Sequence, residues 1–195
     1  MFDDPYFKSR LTYELNDQSF QFDTAALLAS PFAIDRASQL VLPYVADLLD
    51  TAKRIAVLGC NYGVVPVVLA KLAPHAYITA LDKDLLALRY TRHNAALNGV
   101  SNLTVLGSIG VEALGEQRFD LIVAHVPSKI GDRAITHDWL LQPLAHLEPQ
   151  QRYYFTAEVH LNRLVPGVAR KHKLSLHEHA RSEGMILYSM NHRGA

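Results

Sequence analysis

The sequence predicts an α/β fold built on a mostly parallel sheet, and three observations carry the prediction. Residues Arg54 to Asp82 read as strand, glycine turn, helix and second strand, one βαβ unit whose right-handed crossover sets its two strands in a parallel sheet. Phe119-Asp-Leu-Ile-Val-Ala124 is an apolar run of the kind buried when helices cover both faces of a sheet. The last two strand-like runs, residues 174–180 and 185–190, are joined through Ser182-Glu183-Gly184, a connection short enough for an antiparallel hairpin.

The elements follow in chain order. Leu11-Thr-Tyr-Glu-Leu15 and Ser19-Phe-Gln-Phe-Asp23 alternate apolar and polar around Asn16-Asp17-Gln18, which predicts a β-hairpin. A loop through Ser30-Pro31-Phe32 leads to Asp35, an N-cap for a helix reaching about residue 50, with Pro43 expected to kink it. Strands are predicted at 54–58, 77–81, 103–106, 119–124 and 152–157. Intervening helices are predicted at 64–72, 84–97, 134–147 and 161–171, the second of these stopped by Asn98-Gly99. With the closing hairpin this makes a seven-stranded sheet with helices on both faces. Residues 1–34 read as an N-terminal extension carrying the hairpin, and residues 35–195 as the α/β domain.

Composition narrows the function classes. A chain of 195 residues, 49% of them hydrophobic, can bury a sizeable core without a metal or disulfide. The single cysteine, Cys60, excludes an internal disulfide and fits a reducing compartment. Neither a signal peptide nor a membrane span is legible, so a cytoplasmic protein is expected. Nineteen acidic and nineteen basic residues cancel, which argues against a general phosphate-coating surface. Local basic clusters remain, at Lys129 and Arg133 and at Arg163, Arg170, Lys171 and Lys173. His177 and His179 share one strand face with no third ligand in view, so no metal site is predicted.

The βαβ unit also carries the chemistry. Its turn, Gly59-Cys60-Asn61-Tyr62-Gly63, would bring backbone N–H groups to a ligand at a helix N-terminus. Asp82, nineteen residues beyond Gly63, is placed to accept hydrogen bonds from both hydroxyls of a ribose. Gly59, Cys60, Asn61, Gly63, Asp82 and the adjoining Lys83 are therefore the candidate nucleoside-binding residues.

From Tyr6 onward the chain resembles the methyltransferase small domain family of S-adenosylmethionine-dependent enzymes, which includes ribosomal RNA guanine-N2 methyltransferases. The resemblance rests on Tyr6-Phe7, Pro31-Phe32-Ala33-Ile34-Asp35, Val57-Leu58-Gly59-Cys60-Asn61-Tyr62-Gly63-Val64, Asp82 and Asn94…Leu97-Asn98-Gly99. It implies a Rossmann-like methyltransferase fold, S-adenosylmethionine as cofactor, RNA as partner and transfer of a methyl group to a nitrogen. By the same resemblance Ser108 falls beside the adenine, and His125 and Pro127 fall where the family frames its target amine.

Three single positions and one motif depart from the family pattern. Val57 and Ile109 stand where the family carries acids, Asn61 stands for a glycine and would crowd the cofactor, and His125-Val126-Pro127-Ser128 replaces Asn-Pro-Pro-aromatic. The family asparagine aligns an exocyclic amine by accepting its hydrogen bonds, whereas a neutral histidine offers one acceptor and one donor. His125 would then accept from the amine or act as a base. Three readings stay open: an RNA methyltransferase, a methyltransferase fold kept as a binding or assembly module, and a small-molecule methyltransferase.

Overall fold

The computed structural model describes residues 3–192. Two strands, β1 (Phe7–Leu15) and β2 (Gln18–Ala25), form the predicted antiparallel hairpin as a separate two-stranded sheet. Asn16 and Asp17, both at positive φ, make its tight turn. The central sheet holds β3 (Arg54–Leu58), β4 (Tyr77–Asp82), β5 (Leu103–Gly107), β6 (Phe119–His125), β7 (Leu147–Glu158), β8 (Leu174–Ser182) and β9 (Met185–His192). Their order is β5-β4-β3-β6-β7-β9-β8. The first five are parallel, and β9 joins β7 and β8 antiparallel. The expected seven-stranded, mostly parallel sheet with its closing hairpin is present.

Side chains alternate across the strands, so each strand feeds two cores. Ile55, Val57, Ile78, Ala80, Leu121 and Val123 pack with α1 (Arg36–Ala46), α2 (Val64–Leu72) and α3 (Leu85–Leu97) on one face. Ala56, Leu58, Ile122 and Ala124 pack on the other face against residues 135–144 and α6 (Leu164–Lys171). Phe20 and Phe22 of the hairpin are buried in the first core, so the extension shares the apolar interior of the sheet.

Asparagine side chains fasten the hairpin to α3. Asn94 accepts from Asp23 N–H at 2.8 Å and donates to the carbonyls of Asp23 (2.9 Å) and Tyr62 (2.7 Å). One turn later Asn98 accepts from Gln21 N–H at 3.0 Å and donates to its carbonyl at 2.7 Å. Two side-chain amides thus stand in for a third strand along the open edge of β2. The helix then ends as predicted, with Gly99 at φ 65° and Val100 N–H bonded to Ala95 O.

Strand β1 starts four residues before the expected run and α6 three residues after its own, and three further departures are larger in consequence. Helix α1 ends at Ala46 with Asp47 as C-cap, short of residue 50. The helix predicted over 134–147 is split into α4 (Asp132–Ala134), a π-helical stretch (Ile135–Leu141) and α5 (Gln142–Ala145). Leu147, predicted helical, already pairs with Phe119 as the start of β7, and an irregularity with Gln150 at φ 68° separates it from the main run. Leu147-Glu-Pro-Gln lacks strand patterning, and only pairing to β6 makes it a strand.

Candidate cofactor and substrate site

The strand order reverses between β3 and β6, and a crevice opens there at the carboxyl ends of the strands, where ligands of open α/β sheets bind. It holds a cavity of about 540 Å³, within the range of cofactor pockets. Gly59, Cys60, Asn61, Asp82, Lys83, Ser108, His125 and Pro127 all line it. Of the residues named from sequence, Gly63 stands apart. It is the N-cap of α2 at φ 96°, and a Cβ there would meet Thr91 at 3.0 Å, so it serves the close packing of α2 on α3.

The turn is held from within, which corrects the picture of N–H groups reaching for a ligand. Gly59 and Cys60 N–H both donate to Leu81 O, and Gly63 N–H donates to Cys60 O. Asn61 N–H donates to Asp82 Oδ2 at 2.9 Å. Asp84 N–H donates to Asp82 Oδ1 at 3.0 Å. Each carboxylate oxygen so keeps a further lone pair toward the cavity. Asn61 tolerates its φ of 50°, as an asparagine does. Its amide donates to Ala29 O at 3.0 Å, so it ties the turn to the loop after the hairpin. Cys60 is buried, and burial followed by the nearby Asp82 charge pushes its thiol up to about 12. It is a packing residue and no nucleophile.

At the far end of the cavity His125 crowns β6. Its Nδ1 lies 3.1 Å from Thr156 Oγ1 on β7. The ring is open to the cavity, yet the surrounding walls strip it of water, and this desolvation lowers its pKa against the opposing pull of Asp35 and Glu158. A neutral imidazole at pH 7 follows. With Nδ1 protonated and donating to Thr156, Nε2 is an acceptor. The next residues lie close to β7 as well: Val126 N–H donates to Thr156 O, and Ser128 Oγ donates to Glu158 Oε1 at 2.6 Å.

Sequence reasoning missed Trp139. It lines the cavity from the π-helical stretch, and a Cβ on Gly59 would lie 3.4 Å from its ring. Tyr153 OH donates to Trp139 O at 2.8 Å, so the buried aromatic run of β7 positions this wall. A lone tryptophan just after the fourth strand of the sheet was the available signal. Ala29, Ser30 and Asp35 also line the cavity, which makes the N-terminal loop part of its wall. Tyr6, by contrast, packs under the Arg89 guanidinium, 5.5 Å from its ring centre, on α3.

A second cavity of about 550 Å³ lies across His125 and shares Ser30, Asp35 and Ala37 with the first. Phe32, Arg36, Glu158 and Glu183 are among its other walls. Among the described residues, no group of three or more His, Cys, Asp or Glu is placed to hold a metal. No helix among them is long and apolar enough to cross a membrane.

The family model for the methyltransferase small domain matches residues 20–166. The chain belongs to the methyltransferase small domain family. The chain is 31% identical over 119 residues to a ribosomal RNA small subunit methyltransferase C from Acinetobacter baylyi, covering 59% of this chain and 34% of that protein. It is 35% identical over 85 residues to a release factor glutamine methyltransferase from Geobacter sulfurreducens, covering 44% of this chain and 27% of the relative. The chain thus spans about a third of the length of these relatives. Among solved structures, the T. thermophilus 16S rRNA N2 G1207 methyltransferase, in complex with AdoMet and guanosine, superposes with a TM-score of 0.79 at 18% identity. That match covers 97% of this chain and 52% of the other. The fold is the Rossmann-like methyltransferase fold.

Proposed function

We propose that this chain is an S-adenosylmethionine-dependent methyltransferase that modifies a nitrogen of an RNA base in the cytoplasm. The observation that carries the reading is the single cavity with Asp82 at one end and His125 at the other. The residues fit the cofactor: an acid with spare lone pairs for ribose hydroxyls, Ser108 and Ile109 beside the place for a base, and small residues at the turn. S-adenosylmethionine supplies an electrophilic methyl group on a sulfonium. The protein's part is to orient.

In this reading Asp82 anchors the nucleoside end, and the turn carbonyls receive the methionine amine. His125 Nε2 would accept a hydrogen bond from the acceptor nitrogen and take its proton as that nitrogen bonds to the methyl carbon, the carbon–sulfur bond breaking to leave S-adenosylhomocysteine as the neutral thioether. Pro127 shapes the entrance, and a base in a duplex must be unstacked to reach it. The T. thermophilus protein with bound AdoMet and guanosine supports both ligand classes. The N-terminal extension, residues 1–34, we assign to the wall of the site and residues 35–195 to the catalytic domain.

A second reading, a methyltransferase fold kept for binding, is favoured by Val57 and Ile109, apolar side chains lining the cavity where the family carries acids. Two assays together separate the readings. Calorimetry with S-adenosylhomocysteine and transfer of labelled methyl to single-stranded RNA are both expected to be positive. Binding without transfer leaves the second reading, and no binding at millimolar ligand refutes the first.

A further inference from the structure

We infer that the sheet face at β7, β9 and β8 is a seat for RNA backbone outside the catalytic crevice, with Arg152 and Ser175 on a phosphate and Asn191 on the neighbouring 2′-hydroxyl. The inference rests on the RNA reading for the class of partner, and on the chemistry of this face for the seat itself. Nineteen acidic and nineteen basic residues leave the chain without net charge, so a strand must be gripped at local cations rather than by a general field. Strand register gathers the group. Ser175 on β8 pairs with Asn191 on β9, His177 with Ser189, and Ser189 with Tyr154 on β7. Side chains two residues apart share a face. Arg152, Ser175, His177, His179, Ser189 and Asn191 therefore stand together on the side of the sheet that also carries Tyr154 and Leu187.

Two observations point to a ligand there. The donors are weakly engaged. Arg152 makes no ion pair among the described residues, and its Nη atoms reach Ser189 Oγ and His177 Nε2 at 3.4 Å each. Ser175 Oγ lies 3.3 Å from the same histidine nitrogen. These contacts are long for hydrogen bonds, so a guanidinium fork and a hydroxyl stay available to an oxyanion. The charges that act on His179 are those of His177 and Arg152, both of which repel a proton. The second observation is an empty acceptor. Asn191 is 8% exposed, and its Oδ1 is buried without a hydrogen-bond partner. A buried acceptor left unpaired is costly, and the donors beside it are turned to Ser189 and His177 instead.

The ligand must then bring an anion and, next to it, a donor. A carboxylate has no donor, and neither has the backbone of DNA. RNA sets a 2′-hydroxyl beside each phosphate, and that group donates as well as accepts. The phosphate would take Arg152 and Ser175, and the hydroxyl would fill Asn191 Oδ1. Arg152 lies four residues before Thr156, about 13 Å down β7 from the residue that holds the His125 ring. A strand whose target base enters the crevice has this seat within reach along the same face.

The test titrates the full chain with a short oligouridine and with the oligodeoxyuridine of equal length, across a salt series. The RNA is expected to bind about fivefold more tightly, the scale of one neutral hydrogen bond. Asn191→Leu should erase that preference and, by removing the empty acceptor, raise the thermal midpoint of the chain alone by about 2–4 °C. Arg152→Gln should reduce the slope of log affinity against log salt by about 0.7, the share of one single-strand phosphate, and Arg152→Lys should restore it. Equal binding of RNA and DNA by the wild type, a preference that survives Asn191→Leu, or a slope unmoved by Arg152→Gln overturns the inference. So does calorimetric binding of inorganic phosphate, itself an anion with a donor, by a chain that ignores oligouridine. Failure of S-adenosylhomocysteine to bind removes the methyltransferase reading alone, because the oligonucleotide series is read without cofactor.

Discussion

Asp82→Asn separates cofactor recognition from folding. The carboxylate accepts Asn61 N–H at 2.9 Å and Asp84 N–H at 3.0 Å, which leaves about two of its four lone-pair sites for ribose hydroxyls. The amide keeps one oxygen and turns the other site into a donor, so one charge-assisted bond to the ribose is lost. At about 2 kcal/mol for such a bond, the dissociation constant for S-adenosylhomocysteine should rise roughly thirtyfold. Asp82→Ala loses both ribose bonds, on the order of a thousandfold by the same scale, and also frees the turn. Calorimetry measures both variants, with circular dichroism to show that the sheet persists. Affinities within about threefold of wild type in both variants, a difference of under 1 kcal/mol, would refute the placement of the ribose on Asp82.

The proposed role of His125 as proton acceptor carries a pH dependence of definite direction. Its pKa is lowered from 6.5 by desolvation, so the rate of methyl transfer should be level through neutrality and fall only on the acid side of 6.5, as the ring takes up a proton. His125→Asn should abolish that acid limb and spare S-adenosylhomocysteine affinity; a pH–rate profile with the limb intact would assign it elsewhere. The same group lowers stability as pH drops through 6.5, because the unfolded chain binds the proton first. Asp23 acts in the same direction, in a more acidic window. Burial pushes its carboxyl up, but Arg10 at 2.6 and 2.8 Å and His93 at 2.7 Å outweigh burial and hold it below the usual range. Its contribution is complete above about pH 4 and is lost as pH falls through the lowered pKa. Asp23→Asn should cost about 2 kcal/mol in urea unfolding, and an unchanged midpoint would show that the carboxylate's bonds to Arg10 and His93 add nothing to the hold on the hairpin.

The sheet was legible because its strands are marked by short-range pattern. Val64–Leu72 and Arg54–Leu58 fall where their apolar runs lie, and the Asn98-Gly99 stop acts as glycine at φ 65° must. Long-range effects were not legible. Leu147 is a strand only because Phe119 pairs with it. Asn61 was read as crowding a ligand, whereas its amide turns away to Ala29 O, thirty-two residues earlier in the chain. The site was legible in part for the same reason. Asp82 and His125 end strands, where sequence order fixes position, but Trp139 and Glu158 reach the cavities through the packing of β7 and the irregular helical stretch.

The asparagine fastening of the hairpin has a consequence during synthesis. Strand β2 leaves the ribosome before α3, and the last of the groups that complete its edge belong to Asn98, seventy-seven residues after Gln21. At roughly 5–20 residues per second that interval is about 4–15 s. For those seconds the nascent chain carries an unsatisfied strand edge beside Phe20 and Phe22, a surface that a chaperone would recognise. The loop that walls the cofactor cavity therefore settles only once the third helix of the domain has emerged.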